Sequence, residues 1–139
     1  MFPVLIISHG ELAEQMIKSA ELMMGPIEEV YAINFAKGQD RETLAHTINQ
    51  FVHQHVHNEG VLIFIDMFGG SCLNSCTSLY TRDDIDIICG VNLPMLLSAL
   101  TYRLSLQRTS VVQKLSDEHN NFIVNVKERL KKANHSANK

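Results

Sequence analysis

The sequence predicts an α/β fold: an open, doubly wound, mainly parallel sheet of four or more strands, helices on both faces, and a helical segment at the C-terminal end. Three observations predict it. Val4–Ser8, Val30–Phe35, Val61–Ile65 and Ile85–Cys89 are short apolar runs rich in β-branched residues, which read as buried strands. Stretches with helical spacing lie between them, and such alternation makes right-handed crossovers onto one sheet. Glycine-bearing breaks separate the segments, at Gly25-Pro26, Gly38, Gly60 and Gly90.

The elements follow in order. After the first strand, Leu12, Met16, Ala20 and Met23 are spaced as one buried stripe of a helix over about 11–24. After the second strand, the loop Ala36–Gln39 leads to Asp40, a predicted N-cap. The next helix covers about 41–56 and buries Leu44, Ile48, Phe51 and Val52. After the third strand a helix is expected over about 71–79. Beyond the fourth strand, Asn92 caps a helix with Pro94 in its first turn, where proline is tolerated, and with Leu93, Leu96, Leu97 and Leu100 inward. A last helix, with a break near Ser116, is expected over about 110–132, its stripe being Val112, Leu115, Phe122, Val126 and Leu130.

The 139 residues suit one domain, expected over 1–132, with a frayed end over 133–139. Hydrophobic residues make up 45% and charged residues 19%, which excludes a disordered chain. No apolar run approaches a membrane span, so no direct membrane insertion is expected. The first residues carry no secretory signal pattern, and three cysteines without a zinc spacing fit a reducing compartment; the expectation is a cytoplasmic protein. Net charge is −3, unevenly spread. Residues 1–100 hold 4 Lys/Arg against 12 Asp/Glu, and residues 101–139 hold 8 against 3. The acidic part contains the candidate site, which argues against nucleic acid and suits a basic protein partner. Lys127, Arg129, Lys131 and Lys132 read as a solvated helix end.

Two polar residues end two strands. His9 follows the first and Asp66 follows the third. Ligands bind beyond the carboxyl ends of strands in open α/β sheets. Singly, each has an ordinary structural explanation: a loop hydrogen bond for His9, an Asx turn or cap for Asp66. If the two strands are neighbours, both side chains enter one crevice. Asp66 then accepts the Nδ1–H of His9 and leaves Nε2 as a nucleophile. Gly69, Gly70 and Ser71 follow, small residues that let backbone N–H groups turn toward an anion. The run is neither a Walker A nor a dinucleotide motif. An imidazole so placed suits phosphoryl transfer with no metal and no cofactor. His53, His55 and His57 are two apart and read as a solvated helix end. Cys72, Cys76 and Cys89 read as small buried hydrophobes.

Ile6-Ile7-Ser8-His9-Gly10, Leu12-Ala13-Glu14, Met24-Gly25, the loop 35–40, Asp66-Met67-Phe68-Gly69-Gly70-Ser71, Asn74 and Gly90-Val91-Asn92-Leu93-Pro94-Met95-Leu96 occur in that order. They resemble the IIA component of the mannose-type (mannose/fructose/sorbose) bacterial sugar phosphotransferase system. The resemblance implies that His9 takes a phosphoryl group from the phosphocarrier protein HPr on Nε2 and passes it to a IIB component. It implies that Asp66 pairs with His9, that Gly70 and Ser71 hold the phosphoryl group, and that the protein is a homodimer. The chain departs from the family pattern at Cys72, where proline is usual, and has no strand signal after Ser110, where some members have an extra antiparallel strand. No linker or fused IIB domain is read after the tail. A stand-alone regulatory domain, sensed by partner proteins through its phosphorylation state, is the alternative purpose. The related phosphocarrier subunit of dihydroxyacetone kinase has Gly-Ser-Ala where this chain has Gly-Gly-Ser.

Overall fold

A computed structural model gives the architecture. Residues 1–137 are described. The element order is β1 (Val4–His9), α1 (Leu12–Met24), β2 (Val30–Phe35), α2 (Arg41–His55), β3 (Val61–Ile65), α3 (Gly70–Asn74), β4 (Ile85–Cys89), α4 (Leu93–Tyr102), α5 (Arg108–Asp117) and α6 (Val126–Ala137). The four strands are parallel and lie in the order β2-β1-β3-β4.

Strand alternation divides the core into two layers. Val4, Ile6, Leu62 and Phe64 face α1, α4 and α5, where Ala13, Met16, Ala20, Leu96, Ala99, Leu100, Val111 and Leu115 are buried. Leu5, Ile7, Val61, Ile63 and Ile65 face α2, α3 and the turn after α3, where Leu44, Ile48, Phe51, Val52, Cys72 and Cys76 are buried. Every apolar residue of β1 and β3 is fully inaccessible, and each such leucine or isoleucine contributes roughly 1.5–3 kcal/mol. The sheet is therefore a rigid base for whatever its carboxyl edge carries.

Both predicted caps form. Asp40 Oδ1 accepts the Thr43 N–H at 2.6 Å, and Asn92 Oδ1 accepts the Met95 N–H at 2.9 Å. Ser8, buried at the end of β1, accepts the Ala13 N–H at 2.7 Å and so fastens the start of α1 to the strand carrying His9. Two arginines lock the lower edge. Arg103 donates to the carbonyls of Phe2, Glu28 and Glu29. Arg108 donates to the carbonyls of Glu59 and Asp83 and pairs with Asp86.

Three expectations need correction. In α1 the inward residues are Ala13, Met16 and Ala20, while Leu12 and Met23 are exposed. Apolar residues occur on more than one side of that helix, so spacing alone admitted a neighbouring stripe. The helix expected over 71–79 is a single turn, α3, followed by a 3₁₀ turn at Thr77–Leu79. The last helix breaks where expected, close to Ser116, dividing into α5 and α6 around a 3₁₀ turn at His119–Asn121, but its apolar stripe does not continue inward. Leu115 is buried, but Val126 and Leu130 lie exposed on α6 and never join the core. Of the stretch 133–139, residues 133–137 belong to α6, and the remaining two lie outside the described residues.

Candidate active site

Strand order brings His9 and Asp66 together. The sheet reverses its winding between β1 and β3, which are neighbours with Ile7 opposite Ile65. His9 is the last residue of β1, and Asp66 directly follows β3. The crevice at such a switch point is where open α/β sheets bind ligands. Asp66 is held by its own backbone, its N–H donating to the Ile7 carbonyl at 3.2 Å.

The Asp66 carboxylate is fully engaged. Oδ2 accepts the His9 backbone N–H at 2.9 Å and lies 2.8 Å from His9 Nδ1. Oδ1 accepts the Met67 N–H at 3.0 Å. An ionised carboxylate only accepts, so Nδ1–H donates to it and Nε2 is left with its lone pair. The His9 side chain is 41% exposed and that of Asp66 only 11%. The orienting group is thus sheltered and the imidazole open. Phe35, opposite His9 in the β1–β2 register, meets the ring edge-on with centroids 5.9 Å apart. The Gly10 N–H donates to the Phe35 carbonyl at 2.9 Å, anchoring the turn behind the ring.

Gly69 and Gly70 both have positive φ, at 95° and 79°. Gly70 lies against the free edge of the imidazole: a Cβ there would sit 3.5 Å from both Cε1 and Nε2. Gly69 is half-buried, and a Cβ built on it would meet no other atom within 4 Å. Ser71, part-buried, is the second residue of α3, and its carbonyl accepts the Ser75 hydroxyl at 2.7 Å. Gly70 is therefore beside Nε2, while Asp66 is beside Nδ1.

Cys72 is a neighbour that strand-end reasoning alone does not find. Its Sγ lies 3.6 Å from His9 Nδ1, and the residue is wholly buried. Burial, with the negative charge of Asp66 second, pushes its thiol up to about 12. It is thus a protonated, unreactive thiol at neutral pH. Phe35 was also missed, although its place opposite His9 is a consequence of parallel register. Of the other histidines, His53 and His57 are exposed. His55 stacks on Phe51 with centroids 4.1 Å apart, and its ring Nδ1 is 3.0 Å from the Phe51 carbonyl. Among the described residues, the three donors that converge closely enough for one ion are His9, Asp66 and Cys72, not the histidines of α2.

The surroundings are open. Phe68 is 84% exposed, and Met67 and Leu12 are about half exposed. A groove lined by Phe68, Leu73, Tyr80, Ile87 and Cys89 runs along the outer edge of β4, and His9 does not line it. No helix among the described residues is long and apolar enough to cross a membrane.

Comparison with known proteins identifies the family and the fold. Residues 3–116 match the family of the PTS system fructose IIA component. The PTS system mannose-specific EIIAB component of Escherichia coli K12 is 36% identical over 101 residues, 72% of this chain. The match spans only 31% of that longer relative. The PTS system fructose-specific EIIA component of Bacillus subtilis is 30% identical over 83% of this chain and 80% of its own length. The crystal structure of phosphotransferase system component EIIA from Streptococcus agalactiae superposes with a TM-score of 0.82 at 26% identity, over 92% of this chain and 99% of the other. On the strength of the match over residues 3–116 and the Bacillus relative, the chain belongs to the PTS system fructose IIA component family.

Proposed function

We propose that this protein is a phosphohistidine carrier, accepting a phosphoryl group from phospho-HPr on His9 and delivering it to a IIB component during sugar uptake. Membership of the IIA family supports a phosphotransfer role in sugar uptake. One observation carries the finer reading: Asp66 Oδ2 takes both the backbone N–H and the Nδ1–H of His9, leaving Nε2 free beside Gly70.

The chemistry follows from that arrangement. Nε2 attacks the phosphorus of the donor phosphohistidine, and the P–N bond to the donor ring breaks as the new one forms. The electron pair returns to the donor imidazole. His9, still protonated at Nδ1, then carries positive charge on its ring. The Asp66 carboxylate stabilises that charge and fixes the ring plane. Backbone amides of Gly69, Gly70 and Ser71, with the Ser71 hydroxyl, are assigned to the phosphoryl oxygens. Onward transfer repeats the exchange in reverse. It needs positioning and charge stabilisation, without a metal or cofactor.

An exposed imidazole, with exposed Met67 and Phe68 directly following Asp66 in the chain, suits contact with another protein's surface. The acidic balance of residues 1–100 favours a basic donor and not a nucleic acid. A cytoplasmic homodimer belongs to the same family reading, and sedimentation velocity measures its mass. The direct test is incubation with phosphoenolpyruvate, the general phosphotransferase enzyme and HPr. One acid-labile phosphoryl group per chain is expected, absent in His9→Gln. Undiminished labelling of His9→Gln refutes the assignment.

A further inference from the structure

We propose that His9 Nδ1, Asp66 Oδ2 and Cys72 Sγ form a binding site for a soft divalent cation such as Zn²⁺, and that an ion there locks the imidazole out of phosphoryl transfer. The second half rests on the carrier reading above; the first does not.

The donor set combines imidazole, carboxylate and thiol, the three side-chain types that bind zinc. Their ligand atoms all lie within 4.8 Å of one another. Tetrahedral zinc, with bonds of about 2.0 Å to nitrogen and oxygen and about 2.3 Å to sulfur, holds nitrogen and sulfur about 3.6 Å apart and nitrogen and oxygen about 3.3 Å apart. His9 Nδ1 and Cys72 Sγ are already 3.6 Å apart. Nδ1 and Asp66 Oδ2, at 2.8 Å across a hydrogen bond, must separate by about half an ångström once the proton between them leaves. Two of the ligands are rigidly seated: Cys72 is wholly buried in the layer between the sheet and α3, and Asp66 is fixed by the Met67 and His9 backbone N–H groups.

Cys72 has no other evident duty that needs sulfur. Among the described residues its Sγ makes one polar contact, to His9 Nδ1, which Asp66 already satisfies. A coordinating metal removes the thiol proton outright, which overcomes the resistance that burial imposes on ionisation. One proton per ion leaves to solvent, from sulfur. The Nδ1 proton moves to Nε2 when the metal takes its place. That tautomer has no lone pair at Nε2, so metal binding and phosphorylation of His9 exclude each other. The phosphorylated ring, conversely, keeps its proton at Nδ1, where the ion would bind.

Tag-free protein titrated with Co²⁺, then with Zn²⁺ against a chromophoric chelator, tests the site. A thiolate-to-cobalt charge-transfer band saturating at one ion per chain is expected, and Cys72→Ala is expected to lose the band and bind Zn²⁺ on the order of 100-fold more weakly. Cys72→Ser, which keeps a side chain of similar size, is expected to lose the band too, with circular dichroism verifying that both variants fold. On zinc addition, ¹⁵N spectra of the His9 ring are expected to change to the Nε2–H tautomer. No charge-transfer band, or equal zinc affinity in wild type and folded Cys72→Ala, overturns the proposal. These measurements need no phosphoryl donor, so failure of the carrier reading leaves them decisive.

Discussion

Replacing Asp66 by Asn keeps the shape of the site and removes its charge. Oδ2 serves two donors, the His9 N–H and Nδ1–H, while Oδ1 serves the Met67 N–H. Asparagine has one oxygen and one amino group. With its oxygen in the Oδ2 position, the amino group meets the Met67 N–H, donor against donor. The flipped amide confronts both His9 donors instead and is worse. An orphaned donor costs about 1–3 kcal/mol, and the half-exposed Met67 puts this one at the lower end. The folded state is therefore expected to lose about 1–2 kcal/mol, measurable by urea denaturation. Transfer loses more. In the proposed transfer the ring becomes cationic as Nε2 takes the phosphoryl group, and a hydrogen bond to a charged partner contributes about 1.5–3 kcal/mol. A loss of about 1.5–3 kcal/mol slows transfer roughly 13- to 160-fold, at about 1.36 kcal/mol per tenfold. Single-turnover transfer from phospho-HPr, followed by quench-flow, reads that rate. A folded Asp66→Asn protein within about threefold of the wild-type rate removes the carboxylate from the mechanism.

Three further outcomes are expected. Gly69→Ala and Gly70→Ala both force a side chain into positive φ, at about 1–3 kcal/mol each, and both lower the melting temperature; only Gly70→Ala, whose methyl sits over Nε2, also abolishes labelling, and equal labelling in the two variants contradicts the placement of the turn. Cys72, its thiol pushed up to about 12, stays unmodified by iodoacetamide at about pH 8 until the protein unfolds, which mass spectrometry reads; rapid native alkylation contradicts its burial. The Thr43 N–H holds the Asp40 carboxyl below its ordinary value. The advantage of wild type over Asp40→Asn from this charge is therefore complete above that ordinary value and lost as pH falls through the lowered folded-state one. Melting curves between about pH 2 and about pH 6 measure the difference, and a gap that widens on acidification reverses the sign.

The strands and the His9–Asp66 pair were legible because each rests on a local signal. A β-branched run ends, and a polar residue stands where a buried strand meets solvent. Asp40 and Asn92 were legible as caps for the same reason. The α1 face was not, since Leu12, Ala13, Met16, Ala20 and Met23 surround much of that helix, and only the packed sheet selects Ala13 over Leu12. Nor was the end of α3, where the chain tightens into a 3₁₀ turn that buries Cys76 and Leu79. The roles of Arg103 and Arg108, each donating to carbonyls far away in sequence, depend wholly on tertiary structure. Cys72 was visible as a thiol close to the site in sequence, but its 3.6 Å approach to Nδ1 depends on how α3 packs against β1.

The central claim is that Nε2 of His9 carries the phosphoryl group while Nδ1–H stays bonded to Asp66. Heteronuclear NMR of ¹⁵N-histidine-labelled protein, phosphorylated through HPr, tests both halves at once. One ring is expected to show phosphorus coupling at Nε2 and a retained proton at Nδ1, and His9→Gln is expected to lack that signal. Phosphorus coupling at Nδ1, or on any other histidine, contradicts the account.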